Sequence, residues 1–142
     1  MMTPYEYTLV VRSAYDKATD AVCKKYSIKH KELDILMYLH DYPNSATATD
    51  IVKKLNLSKS HVSISLRALE ERGFVSGEFK GTNRRTIYLH INDSASEVLS
   101  EGIKARLSFA ESMVEGFTDE EKKALASYLS RVRKNLLSLS RK

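Results

Sequence analysis

The chain has 142 residues, 42% of them apolar and 29% charged, with a formal net charge of +5, which is the make-up of one domain, or of one compact unit with an added subdomain, with enough apolar content for a core. It has no run of eighteen apolar residues to span a membrane, and with Cys23 as its single cysteine an internal disulfide is excluded. The start, MMTPYEYTLVVR, lacks the basic opening and apolar stretch of a signal peptide, so the expected location is the cytoplasm.

In chain order, residues 5–26 carry Tyr7, Val10, Val11, Ala14, Tyr15, Ala18, Ala21 and Val22 at spacings of three and four, which predicts a helix interrupted at Ser27. Residues 29–41 repeat the period through Leu33, Leu36, Met37 and Leu39, and Pro43 stops that helix. Thr47 with Asp50 predicts a box-capped short helix to about Leu55, with Asn56 as a left-handed stop. Ser58 caps a second helix directly afterwards, with Val62, Leu66 and Leu69 as its buried stripe and Gly73 as its end. Two helices meeting across about three residues make a helix-turn-helix. Phe74–Lys80 and Thr86–Ile91 alternate as strands around the turn KGTNRR, with Ile87, Leu89 and Ile91 expected on one face. Helix resumes from Asp93, with Leu99, Ile103, Leu107, Ala110, Val114 and Phe117 as its stripe and Gly102 as a weak point. Thr118 and Glu121 form a capping box. The last helix then carries Leu125, Leu129, Val132, Leu136 and Leu139 at the 4-3-4-3 spacing of a coiled-coil-like seam. The fold class expected is mainly α with a small β-hairpin wing: residues 1–30 as an N-terminal helix of a dimerisation region, 31–92 as a winged helix-turn-helix, and 93–142 as the C-terminal helices of the dimerisation region.

The charge is not spread evenly. Residues 51–90 hold eight basic residues against three acidic ones, which is the whole net charge of +5; the remainder holds fifteen of each. A basic cluster on such a motif suits a polyanion, and double-stranded DNA is the expected partner. Catalysis is not expected, since there is no phosphate-binding glycine loop and no nucleophile elbow. The four histidines, His30, His40, His61 and His90, fall at no metal-ligand spacing on one helix face. Neither a metal nor a cofactor is expected.

The segments LSKSHVSISLRALEERGFV and NRRTIYLHIN, and the order of elements over nearly the whole chain, resemble the MarR (multiple antibiotic resistance regulator) family. Family members commonly show Asp-x-Arg in the wing; Asn83-Arg84-Arg85 falls there, with Asn83 in place of the acid. The resemblance implies a homodimeric transcriptional regulator, usually a repressor released by a small ligand or by oxidation. Its second motif helix enters the major groove and its wing arginine the minor groove.

The candidate DNA-binding residues are therefore Lys59, Ser60, His61, Ser63, Ile64 and Arg67 on the second motif helix, and Asn83, Arg84 and Arg85 on the wing. Ile64 lies off the apolar stripe; it is either core or, if exposed, a contact for a thymine methyl. Asn83 is expected to hold the wing arginine. Cys23 is read as a small buried helix residue. The competing reading is a redox-sensing thiol whose pKa Lys24 and Lys25 lower. Tyr5, Tyr7, Tyr15, Tyr26, Tyr38 and Tyr42 are expected in the core rather than around a ligand. A second function class is a winged helix used for protein interaction, in which the basic face meets an acidic partner; specific binding to a palindromic DNA site separates the two.

Overall fold

A computed structural model describes residues 1–43 and 46–141. Its elements are α1 (Pro4–Tyr26), α2 (His30–Asp41), α3 (Ala48–Leu55), α4 (Lys59–Glu71), β1 (Val75–Glu78), β2 (Tyr88–Ile91), a single 3-10 turn at Asp93–Ala95, α5 (Ser96–Met113) and α6 (Asp119–Ser140). The class is mainly α with one antiparallel hairpin, as the periodicity predicts. The chain forms two compact units, residues 1–107 and 108–142.

Local chemistry sets most boundaries. Thr3 accepts from the Glu6 backbone N–H while the Glu6 carboxylate accepts from Thr3 N–H, a complete capping box one turn before the predicted start of the pattern. Ser27 ends α1 at φ 50° and Asn56 ends α3 at φ 51°, both in the left-handed region. The Thr47–Asp50 box and the Ser58 cap form as expected, Ser58 Oγ accepting from His61 N–H at 3.0 Å. Caps of this kind stabilise by about 1 kcal/mol each.

The core of the first unit gathers Leu33, Ile35 and Leu36 of α2, Ile51 of α3, Val62 and Leu69 of α4, Leu89 of β2 and Val98 of α5. The α4 stripe read from the sequence is thus buried. Two positions were not foreseen. Val98 lies off the predicted stripe and is buried, and Gly102, read as a weak point, is also a close approach. A Cβ there would lie 3.0 Å from Leu33 Cδ1 and 3.3 Å from Met37 Sδ, so the missing side chain is what lets α5 pack on α2. Arg72, the residue that caps α4, donates to the Ser27 carbonyl at 2.8 Å and lies 4.6 Å from the centroid of the Phe74 ring, which ties the end of α4 to the joint between α1 and α2.

The first half of α1 lies outside the core. Only Thr19, Val22 and Cys23 of α1 are buried, while Tyr7, Val10 and Val11 are exposed. Of the tyrosines expected in the core, Tyr38 is buried, Tyr15 and Tyr26 are half-buried, and Tyr5, Tyr7 and Tyr42 are exposed. In the second unit, the Thr118–Glu121 box starts α6 as predicted, yet no described residue of α6 is buried. Leu129, Val132, Leu136 and Leu139 of the seam all face solvent.

Candidate nucleic-acid interface

The buried stripe decides which way α4 faces. Val62, Leu66 and Leu69 point into the core, and Ser65 is buried beside them. At 3.6 residues per turn Ser60, Ile64 and Arg67 fall on the opposite side, with Lys59, Ser63 and His61 towards its flanks, and all six are exposed. Ile64 is 62% exposed. That settles its alternative: it is not core, and it stands as an apolar group among polar ones on the solvent face of the helix.

A cleft of about 740 Å3 opens between α3 and α4. Buried Val62 and Leu66 and half-buried Val52 line it, with exposed Lys53, Lys59 and Arg67 at its edge. Lys53 and Thr49 thereby join the surface next to α4. The sequence reading placed its candidate residues on the second motif helix and the wing alone. The signal was available: two lysines close a short helix whose one buried residue is Ile51.

The hairpin pairs Val75 with Ile91, Ser76 with His90, Gly77 with Leu89 and Glu78 with Tyr88. Both strands are shorter than predicted. Polar pairs staple one face: Ser76 Oγ donates to Asn92 Oδ1 at 2.9 Å, His90 Nε2 lies 2.8 Å from Glu78 Oε1, and Lys80 Nζ sits 4.2 Å from the centroid of the Tyr88 ring. Beyond the paired residues, Asn83, Arg84 and Arg85 are all exposed at the turn. Asn83 Oδ1 accepts from the backbone N–H of Arg85 at 2.9 Å, an Asx turn that shapes the main chain; the expectation that Asn83 grips the guanidinium is corrected to that extent. The Arg84 guanidinium donates to the Gly81 carbonyl at 3.1 Å and lies 5.3 Å from the centroid of the Phe79 ring. The Arg85 guanidinium has no partner among the described residues. The two neighbouring cations are therefore held differently, one against the hairpin and one exposed without a partner among the described residues. All eight basic residues of the 51–90 window are exposed.

Cys23 is buried at 8% exposure, with Sγ 3.5 Å from His30 Nδ1. Burial first, and then Asp20, Asp34, Asp16 and Glu32, push its thiol up to about 11. Lys24 and Lys25 do not lower it, because the acids around the sulfur and the loss of water outweigh two exposed ammonium groups. At neutral pH the thiolate is scarce, which argues against the redox-sensing alternative. Organic hydroperoxide should leave DNA binding unchanged in wild type and in Cys23→Ser alike, as followed by fluorescence anisotropy. Release of DNA by wild type that Cys23→Ser resists would restore the redox reading.

Among the described residues, no group of His, Cys, Asp and Glu is placed to hold a metal ion, and no helix is long and apolar enough to cross a membrane.

Residues 26–86, which span the helix-turn-helix and reach into the wing, match the model described as the MarR family. The HTH-type transcriptional regulator PecS of Dickeya dadantii is 26% identical over 125 residues, covering 87% of this chain and 75% of that protein. Among solved structures, that of MarR superposes with a TM-score of 0.82 at 17% identity, covering 97% of this chain and 93% of that one. A MarR family transcriptional regulator from Listeria monocytogenes, complexed with 26mer DNA, gives 0.81 at 17% identity over 96% and 90%. The last two establish a shared fold.

Proposed function

The chain belongs to the MarR family of transcription regulators, and from that premise we propose that it works as a homodimeric repressor, occupying a palindromic operator and released by a small-molecule ligand. It is a DNA-binding regulator, not an enzyme. Its chemistry is reversible association, with phosphate contacts supplying affinity and base-edge contacts supplying specificity.

The observation that carries this reading is the orientation of α4. Its apolar stripe is fixed in the core, so Lys59, Ser60, His61, Ser63, Ile64 and Arg67 stand outside it, at and beyond the helix start. In a helix-turn-helix this end of the second helix meets base edges in the major groove. We assign donors to Lys59 and Arg67, adaptable hydroxyls to Ser60 and Ser63, a ring nitrogen to His61, and contact with a thymine methyl to Ile64. Arg84 and Arg85 serve the flanking minor groove and its phosphates, with Asn83 shaping the turn. Residues 31–92 form the DNA-binding domain, and residues 1–30 and 93–142 supply the dimerisation region. The uncovered apolar groups of α1 and α6 support that division, because a domain of this size does not leave such faces wet. As a regulator of transcription it works in the cytoplasm.

A genome-wide binding map followed by footprinting tests the reading. Two protected half-sites about 34 Å apart, related by a two-fold, are the expected result. Absence of any preferred duplex, with capture of an acidic protein by the basic face, would favour the protein-interaction reading instead.

A further inference from the structure

The wing has two faces, and only one is accounted for. Its polar face is stapled by the Ser76–Asn92, Glu78–His90 and Lys80–Tyr88 pairs. Its other face starts in the core, with Val75 at 2% exposure and Leu89 at 4%, and then leaves it. Alternation puts Ile87 and Phe79 next on that face towards the tip. They are 50% and 44% exposed. The sequence places Ile87 on one face with Leu89; the core ends one pair too early to cover it.

Ile87 is also held in place. A Cβ at residue 77 would lie 2.5 Å from Ile87 Cγ2, so the Ile87 methyl occupies the space that the missing side chain of Gly77 leaves. Glycine costs strand stability, so its presence in β1 calls for a close approach of this kind. The result is a fixed apolar ridge on a hairpin whose rim is cationic: Arg84 lies against the Phe79 ring and Arg85 is exposed at the turn.

Resting on the reading of the wing as a minor-groove element, we propose that Ile87, with Phe79 beside it, is a DNA-contacting ridge that packs on the deoxyribose walls of the groove. The groove supplies both halves of the match. Its phosphates line the outside and meet the arginines, while its walls are the C–H faces of the sugars, apolar surface for which Ile87 is suited. A groove about 6 Å wide admits the edge of a hairpin only shallowly. Where A·T steps narrow it further, both walls come within reach of one ridge. The ridge thus adds preference for a narrow groove through shape, without hydrogen bonds to bases.

Charge and apolar contact differ in their response to salt. Phosphate contacts release counterions and set the slope of log affinity against log salt; removal of an apolar contact shifts affinity and leaves that slope alone. Ile87→Thr keeps the branched β-carbon that suits a strand and replaces a buried-on-binding ethyl arm. On an operator with A·T outer flanks, anisotropy titrations should show it binding on the order of tenfold more weakly across the dimer. The loss should be equal at every salt concentration, the slope unchanged, and the loss smaller on G·C flanks. Ile87→Met, still apolar, should bind within about twofold of wild type. Unchanged affinity in Ile87→Thr overturns the proposal alone. So does an equal loss in both variants, or a loss that comes with a lower slope, since either means a displaced wing rather than a missing contact. A wild type that binds no duplex overturns the regulator reading and this proposal together.

Discussion

Leu129→Asp combined with Leu136→Asp should abolish dimerisation and, with it, tight operator binding. Both leucines stand on α6, none of whose described residues is buried, and they are 55% and 59% exposed. Together with Val132 and Leu139 they repeat every three or four residues, the spacing of a seam that closes against another helix. Burying a leucine against a second copy contributes about 1.5–3 kcal/mol, and the double substitution removes four such groups from a dimer while placing four carboxylates in the seam. The total is far larger than a dimer of micromolar or tighter affinity tolerates. Because α6 supplies nothing to the buried core, the core of residues 1–107 should survive, as shown by retained helical circular dichroism in the monomer. Sedimentation at micromolar concentration reads the result. A wild type that sediments as a monomer there would sink the proposal.

Arg85→Ala should give the second largest effect, weakening operator binding by roughly tenfold or more and erasing any preference for A·T at the outer positions. Arg84→Ala should weaken binding about equally on all sequences. It should lower the slope of log affinity against log salt by about 1 to 2 across the two subunits. The different roles follow from how the two side chains are held. Arg84 is already folded onto the Gly81 carbonyl and the Phe79 ring, close to the body of the hairpin, where a phosphate can meet it. Arg85 is exposed on a main chain fixed by Asn83, and its guanidinium has no partner among the described residues. Anisotropy on operator variants at several salt concentrations separates them. If neither substitution alters affinity or slope, the wing is not at the DNA.

Local signals in the sequence carried much of the fold. The Thr47–Asp50 and Thr118–Glu121 boxes, the Ser58 cap and the left-handed Asn56 are each settled within four residues, so a single sequence suffices to find them. The Thr3–Glu6 box has the same signature and was overlooked because no apolar repeat precedes it. The misses are of another kind. Periodicity shows which side of a helix is apolar but not what covers it, so Tyr5, Tyr7 and Tyr42 read as core and are exposed in the chain. Gly102 read only as a weak point in a helix, because its close neighbours Leu33 and Met37 lie some seventy residues away. The Cys23 thiol is pushed up rather than down for a related reason: burial, which the sequence does not show, is the chief cause, and after it Asp20 of the same helix and acids that include Asp34 and Glu32 of the following one. For the candidate interface, the helix face was legible from the Val62–Leu66–Leu69 stripe. The contrast between Arg84 and Arg85 was not, since it depends on where Gly81 and Phe79 place a carbonyl and a ring.

The exposure of all eight basic residues in the 51–90 window has a kinetic consequence. The rest of the chain is electrically neutral, so the molecule carries a positive pole rather than a diffuse charge. In the field of a nucleic acid, such a molecule turns as it drifts. It brings the pole round within the last 8 Å or so, where ions screen least. On the proposed assignment of α4 and the wing, encounters begin with that surface already inward. A weakly held, correctly turned protein can then track along the phosphates and test one stretch after another without letting go. The arrangement shortens the search for a rare target before any base has been read.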